Sequence, residues 1–480
     1  MSTSTDTQAR NFIAGSWVDA AEGGAEDIVN PSTAESIGTM AASSAADVDA
    51  AVSAARAALP AWRAQTPATR AQALFALADL CRQNFDELAR YEALDAGKPL
   101  TAVREEELPG VIDGMRFFAG GARTLHGPAS TNYMEGQTSI MRREPVGVVA
   151  AITPWNYPLW QAVWKLAPAI ATGNTVVLKP AETTPLSTAR LVELAGEILP
   201  PGVLNLVQGF GDPVGAALAA HPHVDLVSFT GSVRAGQAVA HAAADGVKRV
   251  VMELGGNAPV IVFDDADLDA SFETLAMAGL YNAGQECTAA SRILVASSLQ
   301  DRLVEGLAAA ARKLRIGDTM DPETELGPLN SAAHRERVEA ILARRPAHSD
   351  LALGGGRPDL PGYFVEPTIV TGLHQDDELI QEEIFGPVFT VQTFDSEEEA
   401  LRLGNDTRFG LAASVWTSDV GRAIRVGNEL DFGTVWINNH FAFSPELPVG
   451  GFGESGYGKE GSSLGVEEFT RIKVMTINAA

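Results

Sequence analysis

From Val146 to Phe263, short runs of β-branched and aliphatic residues alternate with longer segments whose apolar residues recur at helical spacing. Strands that alternate with helices form βαβ units, because parallel neighbours must be joined by a crossover that packs on a face of the sheet. The pattern therefore predicts an α/β fold with a doubly wound parallel sheet. The predicted strands are residues 146–153, 174–180, 203–209, 226–231, 249–255 and 259–263, and the predicted helices are residues 160–171, 187–198, 214–220 and 233–244.

The segment before this region is predicted to be mainly helical. Residues 11–20 indicate a strand and a turn, and the Ala-rich stretch 46–97 has helical spacing. That stretch ends at Gly97-Lys98-Pro99, since glycine caps a helix and proline cannot continue one. A further helix is expected over about 103–125, ending at Gly127-Pro128.

The segment after this region repeats the alternation of strands and helices. From about residue 260 to 438 the pattern predicts a second α/β domain. The glycine-rich stretch 450–461 is typical of a mobile loop. The tail 467–478 alternates like a strand that needs a partner, often one from another subunit.

Composition narrows the class of protein to which the chain can belong. The 480 residues are 46% hydrophobic and 20% charged, which is close to the average of globular proteins and excludes a disordered chain. A net charge of −26 disfavours nucleic acid as a partner. The start lacks a basic region followed by an apolar core, and prolines and polar residues interrupt the longest apolar region, 146–178. We therefore expect a cytoplasmic, multi-domain enzyme.

The chain has only two cysteines, so a disulfide framework and a cysteine-based metal cluster are excluded. Cys81 lies on the apolar side of a helical pattern and is predicted to be a buried core residue. Cys287 lies among small residues, which favour close approach of a substrate to a nucleophilic thiol. Its neighbour Glu286 argues against this role if the carboxylate faces the sulfur, because it would raise the pKa of the thiol.

A thiol that attacks a carbonyl needs a hydrogen-bond donor for the oxyanion and a base for water. Asn156, in a loop that follows a predicted strand, is a candidate for the donor; a turn asparagine is the alternative. Glu253, at the end of an apolar strand and before two glycines, is a candidate for the base; a capping carboxylate is the alternative.

Three other strand ends suggest a dinucleotide site. Lys179 could hold ribose and phosphate oxygens, and Glu182 could accept from ribose hydroxyls while repelling a 2′-phosphate, which favours NAD over NADP. Ser232 lies at the predicted N-terminus of a helix, where exposed N–H groups favour a pyrophosphate; an ordinary cap is the alternative. The stretch 209–215, with Gly211 and Gly215, is one residue too long for the dinucleotide fingerprint.

Together and in this order, the motifs resemble those of the aldehyde dehydrogenase superfamily. They are TPWNYP, VVLKPAE, FTGS, MELGGN, GQECTAASR, EEIFGPV and GTVWIN, and the resemblance covers nearly the whole chain. It implies that Cys287 is the nucleophile, that Glu253 is the general base and that Asn156 with the Cys287 N–H forms the oxyanion hole. Lys165 matches a lysine that aids proton movement. The implied reaction passes through a thiohemiacetal and a thioester on the cysteine.

The resemblance also implies the cofactor contacts and the domain organisation. The cofactor is NAD, and the matching positions are Ile152, Thr153, Pro154, Trp155, Lys179, Glu182, Gly211, Gly215, Phe229, Gly231, Ser232, Leu254, Glu383 and Phe385. The implied domains are an NAD-binding domain (1–125 and 145–254), a catalytic domain (255–453) and a small β oligomerisation element (126–144 and 468–480). Members of the family form homodimers or dimers of dimers, in which the terminal strand extends a neighbour's sheet.

The substrate is less constrained by the motifs. The chain looks most like the branch that oxidises 4-aminobutyraldehyde and betaine aldehyde, many of whose members have an acidic residue before the cysteine, as Glu286 is here. A cationic substrate would favour aromatic and acidic residues. The candidates are Glu107, Tyr157, Trp160, Trp164, Glu286, Trp436, Phe441 and Phe443.

Several alternatives remain open for the substrate and its contacts. Glu107 could instead be a solvated helix charge, and Trp164 could serve only in packing. A general or aromatic aldehyde would suit the aromatic residues, whereas a succinate-semialdehyde enzyme would require an arginine near the substrate, which the motifs do not provide. A non-catalytic relative is disfavoured by the intact Asn156, Glu253 and Cys287. The histidines show no ligand spacing, so we predict no metal site.

Overall fold

The structure, a computed structural model, describes residues 7–125 and 129–478. Most of its strands belong to two large sheets, whose central strands are parallel and buried on both faces. Val148–Ile152 and Thr175–Lys179 are buried at every residue, which explains why their sequences are continuously apolar rather than alternating. The predicted α/β class and the predicted strands of residues 146–263 are therefore confirmed.

The first sheet contains eight strands among the described residues. Its five central strands are parallel, and short antiparallel strands close both edges. In order across the sheet, the strands are Gly456–Tyr457, Arg249–Glu253, Leu226–Thr230, Val148–Ile152, Thr175–Lys179, Leu204–Leu206, Asn11–Ile13 and Ser16–Val18.

The second sheet contains seven strands among the described residues. The strand Pro259–Val262 lies in this sheet, between Arg292–Ala296 and Ala412–Trp416, although its sequence continues the alternation of the first sheet. Sheet membership is decided by tertiary pairing, which periodicity alone does not report. In order, the strands are Asp350–Leu353, Thr368–Thr371, Val388–Phe394, Arg292–Ala296, Pro259–Val262, Ala412–Trp416 and Thr434–Ile437.

Helices cover both large sheets and begin at recognisable caps. The first long helix starts with a capping box in which Ser44 and Asp47 exchange side-chain and backbone hydrogen bonds. The α-helices are Ala45–Arg63, Pro67–Gln83, Phe85–Ala96, Leu100–Ala102, Leu108–Thr124, Pro158–Ala171, Leu186–Gly196, Ala216–Ala220, Val233–Ala244, Leu268–Leu280, Gln300–Lys313, Ala332–Ala343, Glu378–Gln381, Glu397–Asn405, Val420–Glu429 and Ser462–Glu468. Val103–Glu107 and Gly211–Gly215 are π-helical, and Tyr281–Gly284 and Ser297–Leu299 are 3₁₀-helical.

Two helix ends can be compared with the sequence. Gly97 takes a left-handed φ of 76° at the end of Phe85–Ala96, as its position before Lys98-Pro99 predicts. The helix expected over 103–125 begins instead with a π-helical segment, and its predicted end at Gly127-Pro128 lies outside the described residues.

Three smaller sheets complete the fold. One contains Thr7–Ala9, Glu35–Ala41 and Ala25–Asn30, and another pairs Phe409–Gly410 with Phe452–Gly453. The glycine stretch 450–461 is therefore not the mobile loop that its composition indicated, because its two short strands pair with both neighbours, Phe409–Gly410 and Arg249–Glu253.

The third small sheet gives the tail strand one partner within its own chain. Thr470–Asn478 pairs over its whole length with Gln137–Pro145 of the same chain, and Ser130–Met134 forms the other edge. The tail strand is thus paired on one side within its own chain. It lies at the edge of its sheet, so its other side faces away from the sheet. Residues 126–128 and 479–480 of the predicted oligomerisation element lie outside the described residues.

Candidate active site

The sequence-predicted cofactor residues converge because parallel strands end at the same edge of a sheet. In the strand register Ile152 pairs with Lys179 and with Phe229, and Thr230 pairs with Glu253. Next to this edge lies a cavity of about 500 Å³. Its walls include Pro154, Trp155, Asn156, Gly231, Ser232, Glu253, Leu254, Glu286, Cys287, Glu383 and Phe385.

The loop that carries Cys287 has an unusual backbone. Asn282 and Ala283, with φ of 51° and 54°, and Gly284, with φ of 68°, are consecutive left-handed residues, a conformation that non-glycine residues adopt at a cost. The fully buried Gln285 holds this turn. Its Nε2 donates to the Asn282 carbonyl oxygen at 2.8 Å, and its Oε1 accepts from the Asn330 N–H at 2.8 Å.

The two glycines of MELGGN let this loop approach the strand Arg249–Glu253. A Cβ on Gly256 would lie 2.1 Å from the carbonyl oxygen of Cys287, and one on Gly255 would lie 2.4 Å from Glu383 Oε2. Side chains at either position would therefore push the cysteine loop and Glu383 out of the cavity wall.

The Cys287 thiol faces the carboxylate of Glu286, with 3.3 Å between Sγ and Oε1. Burial, followed by the charges of Glu286 and Glu253, raises the pKa of Cys287 well above its ordinary value. The Glu286 carboxylate thus faces the sulfur and raises the pKa of the thiol, as its position in the sequence suggested. The resting Cys287 side chain is therefore a protonated thiol. Cys81, in contrast, is a core residue that is 1% exposed, and burial raises its pKa to about 12.

Asn156 contacts the cysteine loop rather than only closing its own turn. The side-chain Nδ2 of Asn156 donates to the backbone carbonyl oxygen of Gln285 at 3.1 Å, and the backbone carbonyl oxygen of Asn156 accepts from Asn282 Nδ2 at 3.1 Å. An asparagine Nδ2 carries two N–H donors, and this bond uses one of them. The side chain thus lies beside Cys287 with donor capacity directed at the cavity.

Glu253 is buried, and no hydrogen-bond partner of its Oε1 lies among the described residues, which excludes the capping alternative. Burial, followed by the charge of Glu460, raises the pKa of Glu253 well above 4.5, whereas the charge of Lys165 opposes this rise. Lys165 is fully buried, donates to Thr230 Oγ1 at 2.6 Å and forms a short ion pair with Glu460.

Glu460 is not among the residues that the motifs predict, and it lies in the glycine-rich stretch 450–461. In the sequence, Glu460 is an acidic residue between a lysine and a glycine. This pattern does not indicate a functional residue until the fold places Glu460 beside Lys165. Gln161, which accepts from Lys165 Nζ at 3.2 Å, was missed for the same reason.

Glu383 and Phe385 also line the cavity, and Phe385 does so next to Trp155. Glu383 Oε1 accepts from the Gly256 N–H at 2.9 Å, and burial raises the pKa of Glu383 to about 7. Phe385 has a φ of 58°, and its ring packs 5.4 Å from Trp155. His334 Nε2 lies 2.7 Å from the Phe385 carbonyl oxygen. His334 and Arg337, which also line the cavity, had no motif to mark them.

Seven predicted cofactor residues lie at the same sheet edge but outside the cavity wall: Ile152, Thr153, Lys179, Glu182, Gly211, Gly215 and Phe229. Lys179 is 2% exposed, donates to the Pro180 carbonyl oxygen at 2.9 Å and lies 3.9 Å from Glu182. Burial lowers the pKa of Lys179 to about 8. A buried ammonium with three donors and so few acceptors fits a site for ribose or phosphate oxygens.

Ser232 also fits such a site. Its Oγ accepts from Ala235 N at 3.3 Å and caps the helix Val233–Ala244, whose N-terminus opens beside the cavity. A Cβ on Gly231 would meet the ring of Phe229 at 2.7 Å, so glycine keeps the approach to this helix open.

Acidic and aromatic residues line the other end of the cavity. Glu106, Glu107 and Glu286 contribute carboxylates, and the aromatic residues are Tyr157, Trp160, Trp164, Tyr281, Phe441 and Phe443. Glu107 is 5% exposed, so it is not a solvated helix charge. It accepts from Lys98 Nζ at 2.5 Å and from Tyr281 Oη at 3.2 Å.

Trp436 is not part of the described cavity wall, contrary to the prediction. Its indole N–H donates to the Ala442 carbonyl oxygen at 3.2 Å, and its ring packs 5.3 Å from Phe443. It therefore positions Phe443 instead of facing the cavity. Trp164 is buried and also reaches the cavity wall, so its role is not only in packing.

One group of histidines is closer in space than the sequence indicated. Single ligand atoms of His348, His374 and Asp377 lie within 4.8 Å of one another on the surface. The two rings stack 4.1 Å apart at 14°, so one ion cannot lie in both ring planes unless a ring turns. Within the described ranges, no helix is long and apolar enough to cross a membrane.

Comparisons with known proteins agree with this geometry. The profile of the Aldehyde dehydrogenase family matches residues 17–475. Betaine aldehyde dehydrogenase of Bacillus subtilis is 41% identical over 96% of this chain and 96% of its own. Aldehyde dehydrogenase of Emericella nidulans is 43% identical over 97% of this chain and 94% of its own.

A solved structure extends the similarity to the fold. The crystal structure of betaine aldehyde dehydrogenase from Staphylococcus aureus in complex with NAD⁺ has a TM-score of 0.96 and 40% identity, and the match covers 98% of this chain and 95% of that one. The chain therefore belongs to the aldehyde dehydrogenase family.

Proposed function

We propose that this chain is an NAD-dependent aldehyde dehydrogenase whose substrate carries a cationic group, with 4-aminobutyraldehyde as the first candidate. The observation that carries the activity is the placement of Cys287, Asn156 and Glu253 in the wall of one cavity at the edge of the first sheet. A thiol, an oxyanion donor and a base are the groups that covalent oxidation of an aldehyde requires.

The chain's own residues would act in sequence. Cys287 Sγ attacks the aldehyde carbon, and the oxyanion receives hydrogen bonds from Asn156 Nδ2 and the Cys287 N–H. NAD, when bound, supplies the acceptor for the hydride, which leaves a thioester on Cys287. Glu253 then takes a proton from the water that hydrolyses the thioester. Lys165 and Glu460, which pair with each other and whose charges act on Glu253, would carry this proton onward.

The residues at the sheet edge fit NAD. The buried Lys179 ammonium would hold ribose oxygens, and the helix that begins at Ser232 would hold the pyrophosphate. Glu182, 3.9 Å from Lys179, would repel the 2′-phosphate of NADP. The Staphylococcus aureus relative, whose structure contains NAD⁺, supports the same cofactor.

The charge of the substrate end favours a cation. Two carboxylates, those of Glu106 and Glu286, and six aromatic rings line the cavity there, whereas the buried Glu107 and Lys98 pair with each other. Aromatic faces and carboxylates attract an ammonium and repel the carboxylate of succinate semialdehyde. Relatives named betaine aldehyde dehydrogenase make betaine aldehyde the second candidate, and the aromatic lining keeps aromatic aldehydes as the neutral alternative.

We also infer a homo-oligomer that covers the sheet formed by Ser130–Met134, Gln137–Pro145 and Thr470–Asn478. Apolar side chains at half exposure are concentrated there, and a second copy of this chain would bury them. They are Tyr133, Met134, Ile472, Val474 and Ile477.

The first prediction concerns substrate charge. With NAD⁺ and absorbance at 340 nm, kcat/KM for 4-aminobutyraldehyde should exceed kcat/KM for succinate semialdehyde and for benzaldehyde. For betaine aldehyde, kcat/KM should be closer to that for 4-aminobutyraldehyde than to the other two. Because Glu106 is exposed, Glu106→Gln should lower the value for the cation only about two- to fivefold. Butanal, which is neutral, should be unaffected.

The matched control for this variant is Glu105→Gln, which removes a charge from an exposed neighbour outside the cavity wall. If kcat/KM for benzaldehyde were tenfold above that for 4-aminobutyraldehyde, the proposal of a cationic substrate would be contradicted. Absence of NADH with every aldehyde would contradict the activity itself.

The second prediction concerns the oxyanion. Asn156→Ala should lower the rate of turnover by ~10²-fold or more, because one preorganised donor is worth roughly 3–4 kcal/mol in the transition state. Asn156→Asp is a useful companion because it keeps the size of the side chain but replaces a donor with an acceptor. A near-normal rate in either variant would remove Asn156 from this role.

The third prediction concerns pH. Because the pKa of Glu253 is raised, the base is ionised only above a midpoint higher than that of an ordinary carboxyl group, so thioester hydrolysis should accelerate as pH rises. Glu460→Gln removes a negative neighbour and should move this rise to lower pH. Lys165→Met removes the compensating cation and should move it to higher pH.

The measurement is the pH profile of hydrolysis of a preformed acyl-enzyme, after thermal melting has shown that both variants are folded. Shifts in the same direction, or no shift in either variant, would contradict the assigned coupling between Glu253, Lys165 and Glu460.

A further inference from the structure

The proton on the Cys287 thiol has a defined acceptor in this structure. Sγ lies 3.3 Å from Glu286 Oε1, and the same oxygen accepts from the Thr288 N–H at 3.2 Å and from Thr288 Oγ1 at 3.0 Å. The two bonds from Thr288 fix the carboxylate in the orientation that receives the S–H. Glu286 is half-buried and lines the cavity, so it is both held in place and open to the reacting centre.

Glu253 is poorly suited to receive this proton. No hydrogen bond joins it to Cys287 among the described residues, and its Oε1 has no partner there. Burial and the charge of Glu460 raise the pKa of Glu253, and the described contacts give Glu253 no path to the S–H comparable to that of Glu286. The structure therefore separates the acceptor for the thiol proton from the base that activates water.

The groups around the pair are mostly acidic. Glu253 and Glu383 face Cys287, and Tyr157, Tyr281 and Glu107 face Glu286. A standing thiolate is disfavoured among these groups, so the proton must leave the sulfur during the attack rather than before it. A carboxylate already in contact with the S–H provides that route.

We propose that Glu286 is a catalytic residue that accepts the thiol proton while Cys287 attacks the aldehyde. The S–H bond breaks and an O–H bond forms on Glu286, while the new S–C bond forms and the carbonyl electron pair moves to the oxygen held by Asn156. When the thioester is hydrolysed, the departing thiolate takes the proton back from Glu286. No further reactant is required, and Glu286 returns to its initial state in each turnover.

This inference rests on the proposed aldehyde oxidation and divides it into two proton transfers with different bases. Glu286 serves formation of the acyl-enzyme, and Glu253 serves its hydrolysis. The opposing view is that Glu286 only suppresses the thiolate by its charge. The two views predict opposite changes in the reactivity of Cys287 when the charge of Glu286 is removed. Loss of a proton acceptor slows the attack, whereas loss of a suppressing charge accelerates it.

The test compares Glu286→Gln, Glu286→Asp and Glu253→Gln with the wild type by stopped-flow measurement of the first turnover of NADH. Glu286→Gln should slow the burst by ~10²-fold or more, as expected on loss of a general base. Glu286→Asp, which keeps a carboxylate, should recover part of the rate. Glu253→Gln should retain a fast burst and lose steady-state turnover. Glu105→Gln, an exposed charge outside the cavity wall, is the matched control.

A second readout needs neither NAD nor an aldehyde. The rate at which iodoacetamide alkylates Cys287 at neutral pH, followed by mass spectrometry of its peptide, should fall in Glu286→Gln. An unchanged or faster burst together with faster alkylation would overturn the proposal and leave Glu286 as an electrostatic brake. If no aldehyde yields NADH even in the wild type, the proposed function fails, whereas the alkylation rates still decide the role of Glu286.

Discussion

The close approach of Gly256 to the carbonyl oxygen of Cys287 is the contact on which the rest of the site depends. A Cβ at Gly256 would lie 2.1 Å from that oxygen, so only glycine lets the cysteine loop pack against the end of Arg249–Glu253. This contact joins the edge of the first sheet, which carries the predicted cofactor residues, to the connection that leads from Pro259–Val262 into Arg292–Ala296 of the second sheet. The strained turn at Asn282–Gly284 and the buried Gln285 hold the loop in this position.

The electrostatics of the site follow from burying several carboxylates together. The charges of Glu253, Glu286 and Glu383 act on one thiol. Among the residues that the structure describes, the buried cations near this cluster are Lys165 and Lys98, each paired with a different glutamate. Burial therefore raises the pKa of Glu253 and of Cys287, which keeps the thiol protonated at rest. A proton transfer must then accompany formation of the acyl-enzyme and another its hydrolysis, and we assign them to different carboxylates.

Local signals were sufficient to predict much of the fold and the centre of the site. The buried parallel strands have continuous apolar sequences, so their positions could be predicted. The MELGGN motif places Glu253 at the end of a strand, and the GQECTAASR motif places Cys287 in a loop. What could not be predicted depends on distant partners. Glu460 acquires its place only when its segment pairs with Arg249–Glu253, and Glu107 becomes buried through Lys98 and Tyr281.

The same reason explains why the place of Trp436 and the partner of the tail strand could not be predicted. Trp436 has the aromatic character of a substrate contact, but the register of Thr434–Ile437 places it against Phe443 and the Ala442 carbonyl. The tail strand alternates as a strand should, yet its sequence does not say that Gln137–Pro145 of its own chain is the partner.

The central claim is that Cys287 carries the acyl group between two proton transfers. It is tested most directly by acid quenching of Glu253→Gln with NAD⁺ and aldehyde, followed by digestion and mass spectrometry. The account predicts that the peptide containing Cys287 gains the mass of the acyl group, and that it does so only when NAD⁺ is present. An unlabelled Cys287 peptide, or the acyl group on any other residue, would contradict it.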